Sequence, residues 1–91
     1  MKQKRTQYEI YWEILIFCKK PKSFTSIINR CNLNSKIGQR HIEFLKKRRF
    51  LVEVENEGMT LLKSTEHASQ YMVLFNKTYQ ELFNKSPEFK L

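Results

Sequence analysis

The chain has 91 residues, with 17 Lys/Arg against 9 Asp/Glu and a formal net charge of +8. That length makes one domain with a modest core, and the longest apolar run, Ile14 to Cys18, is far too short to span a membrane. Asp is absent, Cys18 and Cys31 lack CxxC or His-x-x-x-His company, and there is no phosphate-binding glycine loop, so neither a metal site nor an enzyme is expected.

The charge is lopsided. Residues 1–49 carry 13 Lys/Arg and 3 Glu, a net +10, whereas residues 50–91 carry 4 Lys and 6 Glu, a net −2. Basicity confined to one half predicts a polyanionic partner, nucleic acid ahead of an anionic membrane. The first basic residues lead into an amphipathic pattern instead of an apolar signal stretch, so a cytoplasmic, nucleoid-associated location is expected.

In chain order, residues 1–5 read as a basic arm, and Thr6 can cap a helix from about Gln7 to Cys18. That helix is apolar nearly all round, whereas an outer helix of a small monomer shows one stripe. Ile10, Ile14, Leu15 and Cys18 fit a core. Tyr8, Trp12 and Ile16 form a second stripe, predicted as an interface unless the last helix of the same chain covers it. Lys19-Lys20-Pro21-Lys22-Ser23 is a basic turn, because proline breaks the helix. A short helix follows to about Cys31, with Phe24, Ile27 and Ile28 inward, and both cysteines read as small buried thiols.

Asn32-Leu33-Asn34 is a tight turn, and Asn34 can cap a helix over residues 34–49. Ile37, His41, Ile42, Phe44 and Leu45 give it an apolar back, with His41 read as a packed core histidine. Lys36, Gln39, Arg40, Glu43, Lys46 and Lys47 form its front, and it ends on Lys46-Lys47-Arg48-Arg49. Two short helices joined by a tight turn, the second one basic, predict a helix-turn-helix.

Phe50, Val52 and Val54 then alternate with Leu51, Glu53 and Glu55, a strand with its β-branched residues on one face. Asn56-Glu57-Gly58 supplies a turn, with Gly58 able to take positive φ, and Met59–Lys63 returns. This hairpin is the wing of a winged helix, and its Glu53, Glu55 and Glu57 argue against the wing tip lying on phosphates. Thr65 caps a last helix that runs to about Asn84, with Glu66 in its first turn and His67 solvated. Ala68, Met72, Phe75, Tyr79 and Leu82 are spaced as an a/d heptad seam, which predicts pairing with the same helix of a second subunit. Residues 86–91 read as a tail. The expected fold is mostly α with a small β-hairpin: a winged helix-turn-helix over residues 1–64, then a dimerisation helix and tail over 65–91.

With these residues placed, the chain resembles the archaeal winged-helix DNA-binding family whose members include a small dimeric chromatin protein with a C-terminal antiparallel coiled coil. The matching pieces are Tyr8-Glu9-Ile10 with Ile14-Leu15, Thr25-Ser26-Ile27-Ile28 with Arg30 and Asn32-Leu33, Ile42 with Leu45, and Thr65-Glu66. They extend over residues 5–82. The resemblance implies a winged helix, a homodimer through the last helix and double-stranded DNA binding without a cofactor. Two departures bear on the recognition helix. Arg49 stands where the family has a helix-ending glycine, and Gly38 interrupts the helix, which suggests close packing of a neighbour.

The expected function is therefore that of a dimeric DNA-binding protein, either a transcriptional regulator or an architectural one. Lys36, Gln39 and Arg40 would face the groove, with Asn34 and Ser35 at its edge. Lys19, Lys20, Lys22, Arg30 and Lys46 would meet phosphates, and Lys47 is a further expected DNA contact. The dimer interface would draw on Tyr8, Trp12, Ile16 and the heptad seam. The alternative is a winged-helix protein-interaction module, favoured by the acidic wing and the apolar first helix. RNA binding ranks lower, because the aromatic residues fall at core or seam positions instead of on an open stacking surface.

Overall fold

A computed structural model describes residues 5–84; the arm at 1–4 and the tail at 86–91 lie outside them. The elements run α1 (Gln7–Phe17), α2 (Phe24–Arg30), α3 (Ser35–Lys47), β1 (Leu51–Asn56), β2 (Met59–Ser64) and α4 (Ser69–Phe83). A 3-10 turn over Glu66–Ala68 leads into α4.

Short side chains open the helices because the first turn has amides without helical partners. Thr6 accepts from the Glu9 amide while the Glu9 carboxylate accepts from the Thr6 amide, a reciprocal capping box. Ser23 accepts from the Ser26 amide, and Asn34 Oδ1 accepts from the Ile37 amide at 2.8 Å. Thr65 caps the 3-10 turn through the Ala68 amide, so α4 starts four residues after its capping signal, with no side-chain cap of its own.

Helix ends are set without glycine. Asn32 (φ 56°) closes α2 and Arg49 (φ 63°) closes α3, both left-handed. In each the next residue donates back to the helix: Leu33 N–H to Ile28 O at 2.8 Å, and Phe50 N–H to Leu45 O at 2.9 Å. These are Schellman ends, in which glycine is preferred because a Cβ is crowded there. Asn32 tolerates that conformation; an exposed arginine has no side-chain reason to adopt it. An Arg49→Gly variant should therefore gain about 0.5–1 kcal/mol of stability. Chemical denaturation checks this: the midpoint should rise without a change of slope.

The core gathers Ile14, Leu15 and Cys18 of α1, Ile27 and Cys31 at α2, and Ile42 and Leu45 of α3. Leu51, Leu62, Ala68 and Met72 complete it. α1 is apolar all round because it is enclosed. On one side Tyr11 stacks on Phe44 of α3 at 5.2 Å and meets the His41 ring edge-on at 5.3 Å. On the other, Trp12 stacks on Phe75 of α4 at 5.9 Å. The Tyr71 hydroxyl donates to the Tyr8 carbonyl at 2.5 Å, tying the two helices together. The chain's own α4 thus covers part of the second stripe: Trp12, stacked on Phe75, is only 7% exposed, while Ile16 is partly buried and Tyr8 stays 64% exposed.

The hairpin is antiparallel, with Leu51 opposite Ser64, Glu53 opposite Leu62 and Asn56 opposite Met59. Its two-residue loop, Glu57-Gly58, has φ of 52° and 79°, as a type I′ turn requires. The inward face is not the β-branched one. Leu51 is 3% exposed and Val52 45%, because the base of the strand is fixed by the Leu51–Leu62–Ser64 face. Lys22 joins this small sheet as a bridge to Leu62, with backbone bonds of 2.9 and 2.7 Å, so the turn after α1 is pinned to the wing.

Arg5 belongs to the fold instead of to a loose arm. Its guanidinium pairs with Glu13 of α1 and donates to the Cys31 carbonyl at the end of α2. Burial raises the pKa of Glu13, and the Arg5 charge opposes that shift. Cys18 and Cys31 are free thiols, each pushed up to about 12, chiefly by burial, and so held un-ionised and unreactive.

Candidate nucleic-acid interface

α3 has a fixed back and an open front. Gly38, Ile42 and Leu45 are buried. A Cβ added at Gly38 would lie 2.4 Å from Ile28 Cγ2, so the missing side chain lets α2 seat directly against α3. His41 has its pKa lowered by burial and then by Arg40, so it rests neutral against Tyr11.

Lys36, Arg40 and Lys47 lie four, then seven residues apart, a spacing that aligns them on one helical face. All three are exposed, and that face points away from the core. Glu43 shares it. Ser35 is exposed at the N-terminal edge; Asn34 is also exposed, but its side-chain oxygen is committed to the cap. Phe44, beside this face, carries the Arg48 guanidinium 5.4 Å from its ring centre. Arg48 and Arg49 are both exposed and belong to the same basic end, although neither stood among the expected contacts. The four-charge run at 46–49 was the signal for them.

Gln39 and Lys46 turn toward the wing. Gln39 Nε2 donates to Glu43 Oε2 at 2.9 Å. Lys46 Nζ donates to Glu53 Oε2 at 2.6 Å and lies 3.7 Å from Glu43 Oε2. The hydrogen bond to Glu53 raises the Lys46 pKa and keeps the ammonium charged. A shallow cleft of about 200 Å³ lies between α3 and the hairpin, bordered by Phe24, Gln39, Glu43, Lys46, Glu53 and Thr60. The hairpin therefore meets α3 through an ion pair, and Lys46 already has a carboxylate partner.

The other expected cations divide. Lys19 and Lys20 are exposed at the end of α1. Lys22 and Arg30 are half-buried beside Phe17, with Lys22 Nζ 4.9 Å and the Arg30 guanidinium 5.9 Å from its ring centre. Such cation–π contacts position a charge without neutralising it.

The expected dimer residues divide as well. Ala68 and Met72 are buried inside the subunit, and Phe75 and Tyr79 are half-buried. Leu82 is 71% exposed, as are Val73, Leu74 and Phe83 by more than half. Tyr8, Phe75, Tyr79, Leu82 and Phe83 border an open groove of about 440 Å³ between the start of α1 and the distal half of α4. Among the described residues no helix is long and apolar enough to cross a membrane, and no cluster of three metal-binding side chains occurs.

Comparison with solved structures finds the same arrangement elsewhere. Sso10a-2, a DNA-binding protein from Sulfolobus solfataricus, superposes with a TM-score of 0.73 at 22% identity, covering 88% of this chain and 87% of that one. F-93 of SSV1 gives a TM-score of 0.65 at 13% identity over 90% of this chain and 99% of its own. ZitR of Lactococcus lactis, in its complex with DNA, gives 0.57 at 17% identity over 92% of this chain and 64% of its own. Sequence comparison with curated proteins gives no match. The model of the winged helix-turn-helix family matches residues 4–78, nearly all of the described fold. This chain belongs to the winged helix-turn-helix family.

Proposed function

We propose that the protein binds double-stranded DNA as a homodimer and acts in transcription regulation or chromatin architecture, with α3 in the major groove. The observation that carries this is the front of α3: Lys36, Arg40 and Lys47 exposed on one face of a helix whose back is locked into the core. A helix about 20 Å long with a cationic front fits a groove that admits one helix. Lys19, Lys20, Arg48 and Arg49 add exposed charge for phosphates. Sso10a-2 is described as DNA-binding and ZitR is solved with DNA, which supports the same role for this fold here.

Dimerisation rests on the distal half of α4. Leu82 and Phe83 leave apolar surface in water beside the groove at Tyr8, and Val73 and Leu74 are exposed nearer the start of the same helix. Exposed apolar surface on so small a domain is more favourable when covered, and a second α4 has matching chemistry. Trp12 contributes by holding α4 on α1 through Phe75, while Ala68 and Met72 are buried within the subunit's own core.

Fluorescence anisotropy of a labelled duplex, with the protein's mass measured in parallel, tests both parts. The expected result is saturation at two chains per site and a free protein of twice the chain mass. A monomer that leaves the duplex untouched at moderate salt would favour a protein-docking role, for which the acidic wing at Glu53, Glu55 and Glu57 would be the surface.

A further inference from the structure

The front of α3 carries one residue of the wrong sign for a polyanion. Glu43 lies three residues beyond Arg40 and four before Lys47, with its side chain 56% exposed. It is also held still. Its Oε2 accepts from Gln39 Nε2 at 2.9 Å and lies 3.7 Å from Lys46 Nζ, and Lys46 is anchored in turn by Glu53. Among the described residues no side chain is hydrogen-bonded to Oε1, which is left for a donor from outside.

We infer that Glu43 is a base-discriminating residue, selecting an amino-bearing base, cytosine first, in the major groove. This rests on the DNA-binding role proposed above and deepens it. A carboxylate only accepts hydrogen bonds. In the major groove the donors are the amino groups of cytosine and adenine, while guanine and the thymine O4 edge present acceptors. A carboxylate brought among phosphates and acceptor edges without a donor loses its water and gains nothing. Glu43 thus acts mainly by rejection: sequences that place guanine or thymine against Oε1 are penalised, which is how specificity is built from repulsion. Lys36, Arg40 and Lys47 supply the positive charge that draws this face to the duplex, and Glu43 makes part of that affinity conditional on the base it meets. A purely structural role, as the i+4 partner of Gln39, would be served equally by glutamine at this position.

Selection from a pool of randomised duplexes distinguishes these. Wild type should enrich one column for cytosine, with guanine there binding roughly tenfold more weakly. Glu43→Gln keeps the size and the contact with Gln39 but offers an amide, so its column should move toward adenine. Glu43→Ala should flatten the column and bind unselected duplex more tightly than wild type does. An identical column in wild type and Glu43→Gln, or a wild type that binds all duplexes alike, would overturn the inference and leave DNA binding standing. Failure of wild type to retard any duplex would overturn both.

Discussion

Gly38→Ala should lower the melting temperature by about 5–15 °C, equivalent to about 1–2 kcal/mol in a domain of this size. Helix propensity alone points the other way, because alanine in a helix interior is favoured over glycine by about 1 kcal/mol. The structure decides between them. The added methyl would lie 2.4 Å from Ile28 Cγ2, well inside van der Waals contact, and Leu33 Cβ stands 3.8 Å away on another side. Ile28 belongs to α2, so relief requires α2 and α3 to separate or Ile28 to leave its rotamer. Overpacking of this kind costs typically about 1–3 kcal/mol, enough to outweigh the propensity gain. Ile28→Ala removes the clashing carbon, so Ile28→Ala with Gly38→Ala should cost less than the sum of the single changes. Strict additivity in that cycle would mean that the two positions do not touch.

Lys36→Ala with Arg40→Ala should weaken duplex binding at least about 100-fold while leaving the fold intact. Both side chains are exposed, and among the described residues neither makes a hydrogen bond or ion pair that the core depends on. Lys46→Ala is the informative contrast. Lys46 sits on the same helix but already faces Glu53 at 2.6 Å and Glu43 at 3.7 Å, so its loss should change affinity only a few-fold. A duplex competes for Lys46 only by displacing Glu53. Glu53→Gln should accordingly strengthen binding, because it frees an ammonium beside the groove and removes a charge that repels phosphate. Equal losses for Lys36, Arg40 and Lys46 would mean that the helix presents a different face to the duplex. Anisotropy titrations at one fixed salt concentration measure all of these.

The parts legible in the sequence were those with local causes. Thr6, Asn34 and Thr65 each cap the turn that follows them, because a cap is a contact three residues long. The β-hairpin followed from Glu57-Gly58 between alternating runs, and the close packing at Gly38 from a glycine with no turn to serve. What was not legible needed tertiary partners. The second stripe of α1 left two readings open, an interface or cover by the last helix, and only the stacking of Trp12 on Phe75 shows α4 folded back on Trp12. Which strand face turns inward was not legible, because the alternation places Val52 and Val54 together without saying that packing selects Leu51 and Leu62. Arg5 looked like a free cation until Glu13 and the Cys31 carbonyl were found beside it. The pairing of Lys46 with Glu53 was not legible, because the two lie on either side of the helix-to-strand junction. Arg49 in the left-handed conformation shows the opposite balance: the Phe50–Leu45 hydrogen bond and core packing on both sides override a local preference for glycine.

The salt dependence of duplex binding tests the central claim most directly. If α3 and the exposed lysines and arginines around it meet about six to ten phosphates per dimer, affinity falls about 10³- to 10⁵-fold between 50 and 200 mM salt. The logarithm of the affinity should fall linearly with that of the salt concentration, and Lys36→Ala with Arg40→Ala should make the line shallower. Binding that is indifferent to salt, or a slope unchanged by the double substitution, would contradict the placement of this helix against DNA.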